Sequence, residues 1–414
     1  MSTTVKQMAR PLLSVEDARK QMLDGLDALP SQDVALDDAL GRVVAAEVAS
    51  LTTLPPWDNS AMDGFAVRSA DLQDGIALGV TGEIAAGATA LVRVERGTAV
   101  RILTGAPLPP GADTVVPVED TDAEPGVAAL PASVRITGSF APGAHIRRAG
   151  SDLRAGQRLL KRGDSLTPVA LAVAAAGGHG MLPVHGLPKV AVLATGDELA
   201  PAGTTLGDAQ IPDSNTPGLM AAARDAGAEV RSLGIARDTF ESVRDALNIG
   251  LAWADVIVAS GGVSVGAHDV VKDAFAAVGR IDLWRIAVQP GKPLAFGRSP
   301  KTLLFGLPGN PVSSLVTFEL FVRPVIRRLA GHEDIIGREI VRATLADPVR
   351  KAPFRRAFIR VRLTRDGDKW RAHLAGGQES HMLAALAAAD GLAIIPETMD
   401  EARVGTEVEV IRIR

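Results

Sequence analysis

Three acidic side chains, Glu198, Asp238 and Asp269, fall at or beside the carboxyl ends of short apolar runs that read as buried strands. Carboxylates that converge on one point repel each other unless a cation neutralises them. In a chain without cysteine, ligation by oxygen alone points to a hard ion, Mg2+ before others. Asp238 and Asp269 also suit a purely structural use as helix caps; Glu198 suits it less. The cations are complementary. Lys292 stands in Pro-Gly-Lys-Pro, where two prolines stiffen the backbone that presents it, and Arg285 precedes it. Arg355 and Arg356 open the C-terminal region, and Ser380 lies at a candidate helix start there. Rigid cations beside helix N-termini suit a phosphate or another oxyanion. The residues thus point to Mg2+-assisted chemistry on a phosphorylated or otherwise anionic small molecule.

These side chains need a scaffold with a common edge, and the pattern from Pro188 onward supplies one. Asp255 to Ala259 is an apolar, β-branched run. A loop from Ser260 to His268 follows, with glycines at 261, 262 and 266, and the pattern turns helical from Asp269. Strand, glycine loop and helix start is an anion-binding layout, because the loop backbone can approach a ligand with its N–H groups inward. It is neither a Walker loop nor a dinucleotide G-x-G-x-x-G. Further strands are predicted over Lys189–Thr195, Glu229–Ile235, Leu283–Val288 and Thr302–Leu307. Helices are predicted from Thr216 to Ala226, from a capping box at Asp238 to Glu241, and from Asn310 and Pro311 to Arg328. Such alternation implies a doubly wound, mostly parallel sheet. Ligands then sit beyond the carboxyl ends of the strands, and the loops at 196–198, 260–269, 289–293 and 308–313 can share one edge.

The rest of the chain divides around this α/β unit. Residues 14–29 read as a helix and Leu36 to Val48 as a second amphipathic piece; Thr167 to Ala176 is a helix with Thr at the N-cap and Pro at N1. Between them, residues 65–140 are rich in Gly, Val, Thr and Pro, with no helical period. From Glu339 the pattern is β again, with Asp366-Gly367 marking a hairpin. The expected architecture is α/β multidomain: a split helical domain (1–52 and 143–183), an inserted β domain (53–142), the α/β domain (184–332) and a C-terminal β domain, barrel-like or a sandwich (333–414).

Composition narrows the function. The 414 residues are 47% hydrophobic and 22% charged, with a net charge of −4. That excludes wholesale disorder and argues against a general nucleic-acid or anionic-membrane binder. The basic run from Arg355 to Arg371 lacks interleaved aromatics and reads as the solvated face of a strand pair. Seven histidines show no H-E-x-x-H spacing, which disfavours zinc hydrolysis. The absence of cysteine fits a reducing cytoplasm, and neither a signal peptide nor a transmembrane run is apparent.

Six motifs run in order along nearly the whole chain: P-P-W-D-N-S-A-M-D-G-F-A-V (55–67), R-I-L-T-G-A-P-L-P-P-G-A-D-T-V-V (101–116), A-T-G-D-E-L (194–199), S-G-G-V-S-V-G-A-H-D (260–269), P-G-K-P-L-A-F-G (290–297) and G-L-P-G-N-P-V-S-S (306–314). Together they resemble the molybdopterin molybdenumtransferase family, the molybdenum insertases that include the E domain of gephyrin. Region 188–330 alone is also similar to molybdopterin adenylyltransferases and to competence/damage-inducible amidase relatives.

The resemblance implies four domains, an elongated homodimer, and a site between the α/β domain of one subunit and the C-terminal β domain of the other. It implies adenylylated molybdopterin and molybdate as substrates, molybdenum insertion at the dithiolene, AMP release and Mg2+ or a similar ion. The adenylyltransferase enzyme and molybdoenzymes are implied partners; nucleic acid and membrane are not. Carried over by motif, Glu198, Asp238 and Asp269 are the acidic and metal-holding residues. Ser264, Pro308, Pro311 and Ser313 shape substrate-binding loops, Arg285 and Lys292 hold anionic groups, and Arg355 and Ser380 meet molybdate or the pterin phosphate from the partner chain. Asp58, Asp63, Thr104 and Asp152 belong to motifs facing the cleft. Two positions depart from the family pattern. Gln289 stands where many members have lysine, and F-R-R-A-F (354–358) replaces G-R-x-D/E-F, leaving Arg355 and Arg356 as alternatives for the working arginine. A receptor-clustering scaffold and the adenylyl-transfer step are the rival functions.

Overall fold

The computed structural model describes residues 12–126, 128–262 and 270–414. A six-stranded sheet carries the centre of the molecule, in the order Glu229–Ala236, Lys189–Thr195, Val256–Ser260, Leu303–Leu307, Pro293–Arg298 and Arg280–Arg285. The first four strands are parallel, and Pro293–Arg298 runs antiparallel to both of its neighbours. Val256–Ser260 and Leu303–Leu307 are buried at every residue, as unbroken apolar runs covered on both faces must be. Helices Val15–Leu23 and Asn215–Asp225 and the helical stretch from Pro311 to Leu329 close one face. Phe240–Leu251 and Val270–Val278 close the other. From Lys189–Thr195 the chain moves outward to Glu229–Ala236, then crosses back to Val256–Ser260. The switch point, where open α/β sheets bind ligands, therefore lies between Thr195 and Ser260.

The run predicted as one strand over 283–288 is two. Arg280–Arg285 forms the sheet edge, whereas Val288–Gln289 leaves the sheet and pairs in parallel with Arg356 and Ala357. That pairing stitches the C-terminal domain to the sheet. The C-terminal domain is a closed barrel of Arg356–Asp366, Lys369–Leu374, Ile340–Leu345, Glu407–Arg412 and Gly391–Ile395, the last pairing back onto the first. The expected hairpin forms, but it turns through Gly367 and Asp368, with Asp366 paired opposite Lys369, one residue later than an Asp366-Gly367 turn would place it.

The chain also forms a small unit in two passes. Ser31–Ala35 pairs with Met181–His185 and Val48–Ala49 with Arg158–Leu160, around a core that includes Val44, Leu166, Ala174 and Leu182. Pro168–Ala176 is helical and capped by Thr167, whose Oγ1 accepts from Ala170 N at 3.2 Å. Leu36 to Val48 is not the amphipathic helix its pattern predicts. Only Leu36–Asp38 makes a 3-10 turn, and Val43 and Val44 then bridge to Ser165 and Val184; distant backbone partners displace the local helix. Between the two passes lies a five-stranded sheet, in the order Thr114–Pro117, Gly64–Val67, Thr98–Ile102, Ala77–Ile84 and Ser133–Arg135, with apolar clusters at Phe65 and Val116 and at Val100 and Val115. Among the described residues no helix is long and apolar enough to cross a membrane.

Candidate functional site

The acidic end forms where Lys189–Thr195 and Glu229–Ala236 leave the sheet. Thr239, not Asp238, caps the following helix: its Oγ1 accepts from Ser242 N at 3.3 Å. The capping role predicted for Asp238 is therefore taken by its neighbour, and the Asp238 carboxylate is left facing Asp197 instead of the helix end. Its backbone N–H donates to Asp197 Oδ1 at 3.3 Å. Glu198 folds back over Gly196. Desolvation lifts the Asp238 carboxyl above its ordinary range; a backbone hydrogen bond at Asp197 opposes this, and the charges of Asp197 and Glu198 reinforce it. Glu198 and Asp238 thus come within electrostatic reach of each other. Asp197 joins them although the sequence reading passed over it inside A-T-G-D-E-L. A cavity of 730 Å³ opens alongside, lined by Asp197, Asp213, Thr216, Met220 and Arg237 among others. Among the described residues no three acidic or histidine groups gather tightly enough to enclose a metal ion. Asp269 and Ser264 lie outside the described residues.

At the switch point, buried Ser260 is a knot. Its Oγ accepts from Asn215 Nδ2 at 2.8 Å and lies 3.3 Å from Ser314 Oγ. The same Asn215 nitrogen donates to Gly309 O at 2.7 Å. One amide thereby fixes the exit loops of two adjacent strands to helix Asn215–Asp225. Gly261 has φ 98°, and a Cβ there would collide with the carbonyl of Thr195; only glycine allows the chain to leave the sheet this closely. Thr195 Oγ1 and Asn215 Oδ1 are buried with no hydrogen-bond partner among the described residues. Such orphans are uncommon, and both flank this switch point.

The cationic end is a cleft of 510 Å³ whose lining includes Lys292, Ser313, Arg355, Ser380, Gln289 and Glu379. Lys292 precedes a strand rather than following one. Because Pro293–Arg298 runs antiparallel to Leu303–Leu307, its start nevertheless lies on the edge where the parallel strands end. Loop 308–311, with Pro308 and Pro311, borders this end, and Ser313 is only 4% exposed. Asn310 occupies the N-cap of Pro311–Thr317 but makes no side-chain capping bond. Its Nδ2 donates instead to Ser380 Oγ at 2.9 Å, while Val312 N donates to Ser380 O at 3.1 Å. Gln289 Oε1 accepts from Ala352 N at 3.0 Å, so it fastens the segment leading to Arg355. Arg285 ends the outermost strand opposite Pro293, exposed and outside the cleft lining.

The two adjacent arginines are distinguished by their partners. Arg356 is committed: Nε and Nη2 donate to Glu397 Oε2, each at 3.2 Å, and Nη1 to Glu16 Oε1. Burial lowers its basicity, but the hydrogen bonds and charges of Glu16 and Glu397 outweigh this and raise its pKa. Arg355 lines the cleft and has no ion pair among the described residues. Phe354 before it is 78% exposed with φ 59°, a left-handed conformation that glycine would adopt freely. The run Arg355 to Arg371 is accordingly not one solvated face, since Arg360 is fully buried. The resemblance placed Arg355 and Ser380 on a partner chain. Here they meet Lys292 and Ser313 within one chain, because the Val288–Gln289 pairing brings the barrel to the sheet edge.

Asp58, Asp63, Thr104 and Asp152 are bonded within the inserted domain and the segment that returns from it. Asp58 accepts from Ala149 N at 2.8 Å and Arg148 Nη1 at 2.6 Å, which hold its pKa below the ordinary carboxylate value. Asp63 Oδ1 accepts from Thr104 N at 2.6 Å, with the same effect. Asp152 N donates to Leu54 O at 3.1 Å. None of these contacts reaches the sheet edge. Along that edge, Glu198 follows and Lys292 precedes strands three steps apart, or about 14 Å at roughly 4.8 Å per step. The arrangement can hold an elongated anionic ligand with acids at one end and cations with hydroxyls at the other.

Comparison with known proteins covers almost the whole chain. The family profile for the MoeA N-terminal region (domain I and II) matches residues 13–178, that for a probable molybdopterin binding domain matches 191–328, and that for the MoeA C-terminal region (domain IV) matches 342–413. Molybdopterin molybdenumtransferase 2 of Mycobacterium tuberculosis is 40% identical over 411 residues, covering 96% of this chain and 98% of its own. Molybdopterin molybdenumtransferase of Haemophilus influenzae is 34% identical over 406 residues, with the same coverage. Among solved structures, the molybdopterin biosynthesis MoeA protein from Pyrococcus horikosii superposes with a TM-score of 0.82 at 32% identity, covering 98% of this chain and all of that one.

Proposed function

Since the chain belongs to the molybdopterin molybdenumtransferase family, and is thus a transferase of molybdenum cofactor biosynthesis, we propose that it inserts molybdate into adenylylated molybdopterin and releases AMP. The observation that carries this reading is the meeting of Lys292, Arg355, Ser313 and Ser380 in one cleft, on the sheet edge that also bears Glu198 and Asp238. Molybdate is a tetrahedral dianion, and two cations with two hydroxyl groups suit it in charge and in hydrogen-bond donors. The adenylate phosphates would lie toward the acids.

Glu198 and Asp238 would hold Mg2+ there. Their donor set fits that ion: oxygen ligands only, with an Asp238 pKa raised first by desolvation and further by the charges of Asp197 and Glu198. Mg2+ characteristically takes one or two carboxylates and completes its shell with phosphate and water, which agrees with the lack of a closed protein cage among the described residues. Bound there, it would neutralise the phosphoanhydride's negative charge. Asp238 would accept a proton from the water that attacks the adenylyl phosphorus. A P–O bond forms to that water, the bond to the pterin phosphate breaks, and AMP leaves. At the cationic end, two Mo–S bonds form, one molybdate oxygen departs as water with the two thiol protons, and a trioxo dithiolene remains. Lys292 and Arg355 would hold the oxyanion's charge during the exchange. We place the chain in the cytoplasm as a homodimer.

The test is purified full-length protein incubated with adenylylated molybdopterin, molybdate and Mg2+. AMP release coupled to activation of a molybdenum apoenzyme is expected, with loss of both on chelation of Mg2+. AMP formed from ATP in the absence of adenylylated substrate would favour the adenylyl-transfer step instead. No turnover under either condition would favour a scaffold.

A further inference from the structure

Arg360 is the largest fully buried side chain in the molecule. It lies on Arg356–Asp366, facing the loop that carries Ser380. Its Nη2 donates to Gly377 O at 2.7 Å and Glu379 O at 3.2 Å. The loop answers in kind: Gln378 Oε1 accepts from Arg360 N at 3.0 Å, and Gln378 Nε2 donates to Arg360 O at 3.2 Å. The glutamine side chain thus grips the Arg360 backbone, and the arginine side chain takes the carbonyls of the two residues flanking the glutamine. Its Nε has no hydrogen-bond partner among the described residues, and no carboxylate pairs with it there. A buried guanidinium without a paired carboxylate is costly, and an apolar side chain of similar volume would generally be the more stable choice. What the pair of residues gains is placement. Ser380 follows this clamped segment directly, and its hydroxyl accepts from Asn310 at 2.9 Å at the mouth of the Lys292 cleft.

We propose that Arg360 and Gln378 are positioning residues for oxyanion binding, holding loop 376–380 so that the Ser380 hydroxyl meets a ligand already held by Lys292 and Arg355. This rests on the molybdate reading of that cleft. A clamp that acts through Ser380 must be energetically coupled to it, whereas a merely structural clamp would act independently.

The experiment is molybdate titration by calorimetry on full-length protein, for wild type, Gln378→Ala, Ser380→Ala and the double variant, with a thermal melt of each. Gln378→Ala should weaken molybdate binding about tenfold, the scale on which loss of an outer supporting contact weakens a bound group. The double variant should be no weaker than Ser380→Ala. Arg360→Lys, which keeps the charge but not the two-carbonyl fork, should match Gln378→Ala. Wild-type affinity in Gln378→Ala, or losses that multiply in the double variant, would overturn the clamp while leaving the cleft assignment intact. Wild-type affinity in Ser380→Ala would overturn the cleft assignment and the clamp with it.

Discussion

Arg355 and Arg356 are adjacent in sequence and chemically identical, yet the structure requires opposite outcomes from their removal. Arg355 lines the Lys292 cleft with no ion pair among the described residues, so its guanidinium is available to a ligand. Hydrogen bonds to charged groups contribute roughly 1.5–3 kcal/mol. At about 1.4 kcal/mol per factor of ten, Arg355→Ala should raise the molybdate KM roughly 10- to 150-fold. Its melting temperature should stay near wild type, since no described partner is left unpaired. Arg356 is bonded to Glu16 and Glu397, and its side chain is 23% exposed against 58% and 27% for those partners. Discounted for solvent screening, the two pairs contribute about 1–2 kcal/mol together. Arg356→Ala should therefore lower the melting temperature by a few degrees and leave the molybdate KM unchanged. The assay is apoenzyme activation at saturating adenylylated substrate and varied molybdate, with a melt of each variant. A raised KM in Arg356→Ala, or an unchanged KM in Arg355→Ala, would refute the assignment.

Asp238→Asn should abolish AMP release yet slightly stabilise the fold once pH exceeds the raised Asp238 pKa. The folded pKa of Asp238 is raised, so its charged form is disfavoured by folding, and stability at this group is lost as pH rises through that raised value. The gain should be a few tenths of a kcal/mol because the carboxylate is exposed, and melts of variant and wild type should converge below about pH 4. Gly261→Ala, at φ 98° against the Thr195 carbonyl, should cost on the order of 1–3 kcal/mol and displace the switch-point loops; an unchanged melt would contradict the close packing. Phe354→Gly should stabilise by about 1 kcal/mol through relief of the left-handed conformation, seen as a higher melting temperature; an unchanged or lower value would contradict the strain.

The central sheet was legible because its strands are unbroken apolar runs separated by turn residues and helix caps. Thr167 with Pro168 behaves as local chemistry predicts, and Asp366-Gly367 marks the hairpin although the turn is centred one residue later. What escaped the sequence depended on partners far along the chain. Leu36 to Val48 has a helical stripe, but its backbone is taken by Ser165 and Val184. Thr239 displaces Asp238 as a cap, a choice between neighbours that capping preference alone does not decide. Asp197 stood inside a recognised motif and gained meaning only when Asp238 folded beside it. The roles of Gln289, Arg356 and Arg360 could not be read from local pattern, because Gln289 depends on a partner 63 residues away, Arg356 on one 41 residues away, and Arg360 on a loop whose position the barrel sets. The cleft is shared in this way between the sheet and the barrel, which no local pattern encodes.

The most direct measurement is a crystal of the full chain soaked in molybdate. The account predicts anomalous density for molybdenum between Lys292, Arg355, Ser313 and Ser380, within hydrogen-bond reach of the Arg355 guanidinium and the Ser380 hydroxyl. Density confined to the Glu198 and Asp238 end, or to the inserted β domain, with the Lys292 cleft empty, would contradict it.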